Sequence, residues 1–174
     1  MYYNDRDELQ STSYYLNHLN GNAIDFAKIY NSYNYETDGR LKSSYIRTTV
    51  TDGGESYTYD EYDRVSKKVT NLYLSSNTAT KFNNEINYTY KTYSDRTSSW
   101  VETYKSTVNG ASSVTYTYSY DQNGNITKII LSTGEELRYV YDYLGQLLRE
   151  DNALLGFTYT YEYDNSGNIT AKNK

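Results

Sequence analysis

The octapeptide YDQNGNIT at 120–127 holds residues with three kinds of chemical potential. Its Asp and Asn side chains offer oxygen ligands to calcium. Asn125-Ile-Thr127 is an acceptor triplet for N-glycosylation, as are Asn168-Ile-Thr170 and Asn87-Tyr-Thr89. Its glycine marks a turn. An EF-hand loop closes with a Glu at its twelfth position, whereas the twelfth residue counted from Asp121 is Ser132, and the nonapeptide pattern GGxGxD is absent. His18 is the only histidine, and no nucleophile-elbow sequence provides a serine for it to activate. The acidic pairs Glu135–Glu136 and Glu150–Asp151 are consecutive in sequence, where glycoside hydrolysis needs two carboxylates facing each other across a cleft. With no Cys and no GxGxxG or Walker loop, the sequence offers no catalytic set, no cofactor site and no metal site.

The octapeptide belongs to a repeat. The pattern is Tyr, an acidic residue, two variable residues, Gly or Asp, a polar residue and an aliphatic one. It fits YETDGRL (35–41), YDEYDRV (59–65), YDQNGNI (120–126), YDYLGQL (141–147) and YDNSGNI (163–169). YNDRDEL (3–9) fits with Asn in the acidic slot, and YKTYSDR (90–96) is a degraded copy. Each slot has a folding task. Tyr35, Tyr59, Tyr120, Tyr141 and Tyr163 end strands. Asp60, Asp121, Asp142 and Asp164 accept N–H groups from the residues ahead, as in an Asx-turn. Gly39, Gly124, Gly145 and Gly167 supply the positive φ that closes a short hairpin loop, and Asp63 fills that slot because Asp tolerates the left-handed region. The aliphatic residue then re-enters the sheet. Two of the three glycosylation triplets arise because the motif ends in Asn-Ile-Thr.

These turns require strands between them. Leu, Ile, Val and Phe make up only 31 of 174 residues, so the apolar surface resides in 25 Tyr, which together with Thr favour strands. YTYSY (116–120) and FTYTYEY (157–163) alternate rings with polar residues, placing the rings on one sheet face. Val140 in RYVY implies that the opposite face is partly covered. Glycines at 124, 134, 145, 156 and 167 step by ten or eleven residues, and Gly21, Gly53, Gly54 and Gly110 fall in connecting stretches, so all ten glycines are assigned to turns. The insertions at 10–32, 71–87 and 97–113 read as longer hairpins or loops, with AIDFAKIY (23–30) the best helix candidate or an extended insertion. A net charge of −5 without a basic stripe argues against nucleic acid, and no apolar run reaches membrane length. The start lacks the charged-then-apolar character of a signal peptide.

The five full motif copies, each preceded by a Tyr two residues earlier (Tyr33, Tyr57, Tyr118, Tyr139, Tyr161), resemble the YD repeats of the Rhs family. That family includes bacterial polymorphic toxins, shell subunits of insecticidal toxin complexes, wall-associated proteins and teneurin ectodomains. The resemblance implies linked β-hairpins coiling into a strip that spirals into a hollow shell or barrel. The self-cleaving aspartyl-protease segment of toxin-releasing members is not found.

The expectation is an all-β, antiparallel strip of consecutive hairpins, twisted and coiling, as an open segment of such a shell. Residues 1–174 form a single array, irregular with insertions over 1–113 and regular over 114–170. The resemblance implies a structural segment of a large secreted or cell-surface bacterial protein. Its partners are other repeats of the same protein, with an encapsulated toxin domain or a cell-surface carbohydrate as further candidates. The alternative is a carbohydrate-binding or adhesion module that uses exposed tyrosine faces. Aromatic repeats of the choline-binding type rely on Trp, and Trp100 is the only one here.

Overall fold

In the computed structural model, every residue is described except 21, 22, 49, 50, 75, 76 and 95. Among the described residues the regular structure is all strand: β1 (Tyr2–Tyr3), β2 (Leu9–Asn20), β3 (Ala23–Tyr35), β4 (Leu41–Arg47), β5 (Thr51–Tyr59), β6 (Val65–Leu74) and β7 (Asn77–Tyr93), then β8 (Arg96–Val108), β9 (Ser112–Tyr120), β10 (Ile126–Leu131), β11 (Glu136–Tyr141), β12 (Leu147–Asn152), β13 (Phe157–Tyr163) and β14 (Ile169–Asn173). Sheet order follows chain order from β1 to β14, and the registered pairs are antiparallel. The expected all-β succession of hairpins is therefore observed. The helix candidate at 23–30 is part of β3, and the described residues of the insertions at 10–32 and 71–87 fall in the long paired strands β2 with β3 and β6 with β7. No helix long and apolar enough to cross a membrane occurs among the described residues.

The chain divides into two compact units. One comprises Met1–Asn87 with Ser106–Ser113, and the other Tyr88–Lys105 with Val114–Lys174. In the second unit, cross-strand pairing sorts the side chains. Tyr118, Ile129, Leu137, Asn152 and Phe157 face one another in a row across β9 to β13, with Tyr139, Glu150 and Tyr159 beside them. The opposite face carries Ser119, Lys128, Arg138, Asp151 and Thr158. Charges of opposite sign meet there, as in Arg149–Asp151 at 2.8 Å and Lys128–Glu136 at 3.5 Å. The strand alternation thus produces an aromatic face and a polar face. Val140 lies on the polar face and is 49% exposed, so the covering expected from RYVY is absent at that position.

A conventional core is also missing. Among the described residues, Leu131 is the only buried hydrophobic, at 6% exposure, and no side chain falls below 2%. Stability comes instead from half-buried rings packed on their cross-strand neighbours. Tyr104 on β8 meets Tyr88 on β7 and Tyr116 on β9 edge-on at 5.6 and 5.7 Å, and within β13 Phe157 also meets Tyr159 at 4.4 Å.

In the first unit the corresponding row is Asn31, Ile46, Gly53, Leu72 and Phe82. Gly53 and Gly54 lie inside β5, which corrects their assignment to a turn. Neither has a positive φ. Their reason is space: a β-carbon on Gly53 would sit 2.7 Å from Leu72 Cδ2, and one on Gly54 would sit 2.7 Å from the Ser44 carbonyl oxygen. The missing side chains let Leu72 and β4 close over the strand on its two faces. Gly21 lies outside the described residues. Gly54→Ala is expected to cost about 1–3 kcal/mol by overpacking β4 against β5. A lowered urea midpoint in chemical denaturation would report it; an unchanged midpoint would contradict so close an approach.

Candidate functional site

The feature that recurs along the chain is the seam at each motif. In the five full copies and in the Asn4 copy, the motif Tyr ends its strand and the motif aliphatic begins the next: Tyr3 pairs with Leu9, Tyr35 with Leu41, Tyr59 with Val65, Tyr120 with Ile126, Tyr141 with Leu147 and Tyr163 with Ile169. A bulge accompanies each pair. Between Tyr120 and Ile126, the Asp121 N–H donates to the Asn125 carbonyl at 3.0 Å and the Gly124 N–H to the Asp121 carbonyl at 3.3 Å. The same two bonds close the loops at Asp60, Asp142 and Asp164. Residues in the fifth slot hold the left-handed backbone this closure needs: Gly124, Gly145 and Gly167 have φ of +88°, +80° and +83°, and Gly39 has +92°. Asp63 and Asp7 adopt +62° and +60° in the same slot.

The acidic side chain holds the loop from inside. Asp121 Oδ1 accepts the Asn123 and Asn125 N–H groups, both at 2.9 Å, and Oδ2 accepts the Asn125 amide at 2.8 Å. Asp164 repeats all three bonds with Ser166 and Asn168. Asp60 bonds the Tyr62 and Arg64 N–H groups and the Arg64 guanidinium, and Asp142 the Leu144 and Gln146 N–H groups. In the first copy the roles exchange: Asn4 Oδ1 accepts the two N–H bonds while its amide donates to Glu8 at 2.6 Å. Glu36 is the exception, since Asp38 accepts the Arg40 N–H instead. The polar slot after the glycine, to which the motif pattern alone assigns no role, thus pairs with the acidic slot. In Asn125 and Asn168 this pairing occupies the side-chain nitrogens of two glycosylation triplets.

Successive motifs are joined by the tyrosine hydroxyls. Tyr35 donates to the Leu9 carbonyl at 3.0 Å, Tyr59 to Leu41 at 2.7 Å, Tyr141 to Ile126 at 3.0 Å and Tyr163 to Leu147 at 2.9 Å. Each acceptor is the first residue of its strand. It lies beyond the last registered pair with the strand that carries the Tyr, which starts at Ser11, Ser43, Lys128 and Arg149 respectively. The phenol therefore bonds a carbonyl that the ladder leaves over. Tyr120 also donates to a backbone carbonyl, that of Val101 at 2.7 Å, which lies inside β8 rather than at its start. Burial pushes the Tyr120 and Tyr141 phenols above their ordinary pKa, so both remain donors at neutral pH.

The turns also stack. A β-carbon on Gly39 would lie 3.3 Å from Glu8 Oε1, and one on Gly167 would lie 3.3 Å from Gln146 Nε2, so the polar residue of one motif lies over the glycine of the next. Where Asp63 replaces glycine, its carboxylate pairs with Arg40 of the preceding motif.

The RHS Repeat family model matches residues 141–173, the span from the YDYLGQL motif through the YDNSGNI motif to β14, so the YD-repeat resemblance of the sequence is borne out there. No curated protein matches the sequence. Among solved structures, the chain is similar to a chain of the TcdB2-TccC3-Cdc42 crystal structure, with a TM-score of 0.51 and 17% identity over 97% of this chain. A chain of the TcdB2-TccC3-TEV crystal structure gives a TM-score of 0.50 at the same identity and coverage. This chain spans 11% of the length of either. At that identity the likeness is one of fold.

The seam makes two kinds of prediction. Tyr59→Phe and Tyr163→Phe each remove one hydroxyl bond, and each is expected to cost about 1 kcal/mol. The two share no partner, so their costs are expected to add in the double variant, as measured by chemical denaturation. The second prediction concerns pH. The Asn125 amide and the backbone N–H groups of Asn123 and Asn125 hold the Asp121 carboxyl below its ordinary value of 3.8, and Asn168 does the same for Asp164. A carboxyl whose folded pKa is depressed stabilises the fold above its unfolded value, and that stability is lost as pH falls through the folded value, because the unfolded chain takes up protons first. Thermal midpoints are expected to fall as pH drops below 3.8. Asp121→Asn keeps an acceptor for the two N–H groups, as Asn4 does, and is expected to flatten that dependence; a slope as steep as that of the parent would count against the assignment.

Proposed function

We propose that this chain is a structural segment of a larger bacterial YD-repeat protein, secreted or displayed at the cell surface, and that it forms part of a β-shell wall. The single observation that carries this reading is the tyrosine seam, in which Tyr35, Tyr59, Tyr141 and Tyr163 each complete the hydrogen bonding of the motif before their own. A unit built this way has its natural partner in the next repeat, as in other repeat arrays. The RHS repeat at 141–173 and the similarity of fold to two TcdB2-TccC3 structures support the same reading. On this reading the 174 residues form one array, its partners are further repeats, and the wall they build serves to enclose a toxin domain.

The adhesion reading, with a carbohydrate partner, calls for a contiguous row of exposed ring faces. Among the described residues, the tyrosines more than half exposed are Tyr2, Tyr3, Tyr14, Tyr62 and Tyr143, and the last two stand at the tips of separate turns. Most other described rings are half-buried against their cross-strand neighbours, which favours the wall.

A head-to-tail tandem of two copies distinguishes the readings. A wall segment is expected to unfold in one transition at a higher midpoint than the single chain, because the junction adds a seam between repeats. A self-contained binding module would keep the midpoint of the single chain. That outcome, together with a saturable signal on a glycan array, would favour adhesion over the wall.

A further inference from the structure

The regularity of the turn edge breaks at one place within the second unit. The degraded copy forms no loop of the motif type after Tyr90; β7 runs on to Tyr93, and β8 returns from Arg96. Over Gly124, where other motifs place a polar side chain, lies the indole of Trp100, 3.0 Å from where a β-carbon would sit. Trp100 rests on the Tyr120 ring at 5.2 Å between centroids, tilted by 30°. Beside this pair opens a cleft of about 760 Å³, bounded also by Lys91, Tyr93, Arg96 and Gln122. Its size lies within the usual range for small-molecule sites, roughly 300–1,000 Å³.

We propose that this cleft binds a flat aromatic compound bearing a negative charge. The ring faces of Trp100 and Tyr93 supply the stacking surface, and Tyr93 is 41% exposed. Lys91 and Arg96 supply the charge: neither forms an ion pair among the described residues, in a chain whose net charge is −5. The remaining polar groups set the ligand class. The Thr97 and Ser98 hydroxyls already donate to the Lys91 carbonyl, at 3.4 and 3.1 Å. Both Asp121 oxygens are occupied by its own turn. A sugar needs several partners for its hydroxyls, and the Gln122 amide is the main one left. An aromatic anion needs a ring face and a cation, and the cleft has two of each against one lining carboxylate, that of Asp121. The site does not depend on the wall reading, since it is formed wholly within one unit.

Trp100 is the only tryptophan, so its fluorescence reports the site directly. Titration of the full chain with naphthalenesulfonate, under tryptophan-selective excitation, is expected to give a saturable change that weakens with added salt. Lys91→Gln/Arg96→Gln alters two side chains outside the seam and is expected to weaken binding about tenfold or more, the size of losing charge-assisted contacts. Far-UV circular dichroism of that variant is expected to match the parent. Three outcomes would overturn the proposal: no saturable change, equal affinity for neutral naphthylmethanol, or unchanged affinity in the double variant. Binding of glucuronate without binding of naphthalenesulfonate would overturn the ligand class and assign the cleft to an acidic sugar.

Discussion

The structure depends on a carbonyl left over at the start of a strand. Each tight motif loop carries a bulge, so the ladder between one hairpin and the next begins two residues inside the strand. The first carbonyls, at Leu9, Leu41, Ile126 and Leu147, would otherwise lack a protein donor at the sheet edge. The hydroxyl of the next motif tyrosine supplies it. Phenylalanine has a similar ring and cannot donate this bond, which gives a reason for tyrosine at positions 35, 59, 141 and 163. The same side chain supplies packing area and the bond that ties one hairpin to the next.

A single layer of sheet follows from this economy. With few aliphatic side chains and no second layer among the described residues, no apolar group other than Leu131 is buried to the level of a globular core. A tyrosine is suited to such a place because its ring packs against cross-strand neighbours while its oxygen remains hydrogen-bonded. Ionic pairs on the opposite face are exposed, so each contributes little alone. They do prevent that face from being a bare apolar surface. Gly53 and Gly54 show how tight the layer is, since a methyl group on either side of β5 meets a neighbour.

Much of the fold was legible because the motif is local. Tyr, Asp, Gly and the aliphatic residue act within seven positions, and backbone sterics alone assign the left-handed slot. The seams were less legible. That Tyr141 bonds Ile126 follows from the stagger of neighbouring hairpins, which no spacing within one motif encodes. Gly53 and Gly54 resemble a turn signal in isolation; only the closeness of Leu72 and Ser44 shows that they serve packing. Val140 implies a covered face only if an apolar residue type means burial, and it is 49% exposed on the polar face of its sheet. The pairing of the acidic and polar slots was present in the sequence as an exchange, Asn4 with Glu8 against Asp121 with Asn125 and Asp60 with Arg64.

That exchange operates at two levels. Within a motif, the acidic and polar slots complement each other; between motifs, the polar slot meets the glycine slot of the next turn. Arg40 links the two levels, reaching Asp38 in its own loop and Asp63 in the following one. When Asp replaces glycine at position 63, the preceding motif therefore has a cation in place to receive the added carboxylate. A substitution that backbone conformation alone would merely tolerate is matched by charge from the neighbouring repeat. The composition of each turn is thus constrained by the turn before it, and Trp100, which covers Gly124 where a polar side chain lies elsewhere, marks where that succession is interrupted.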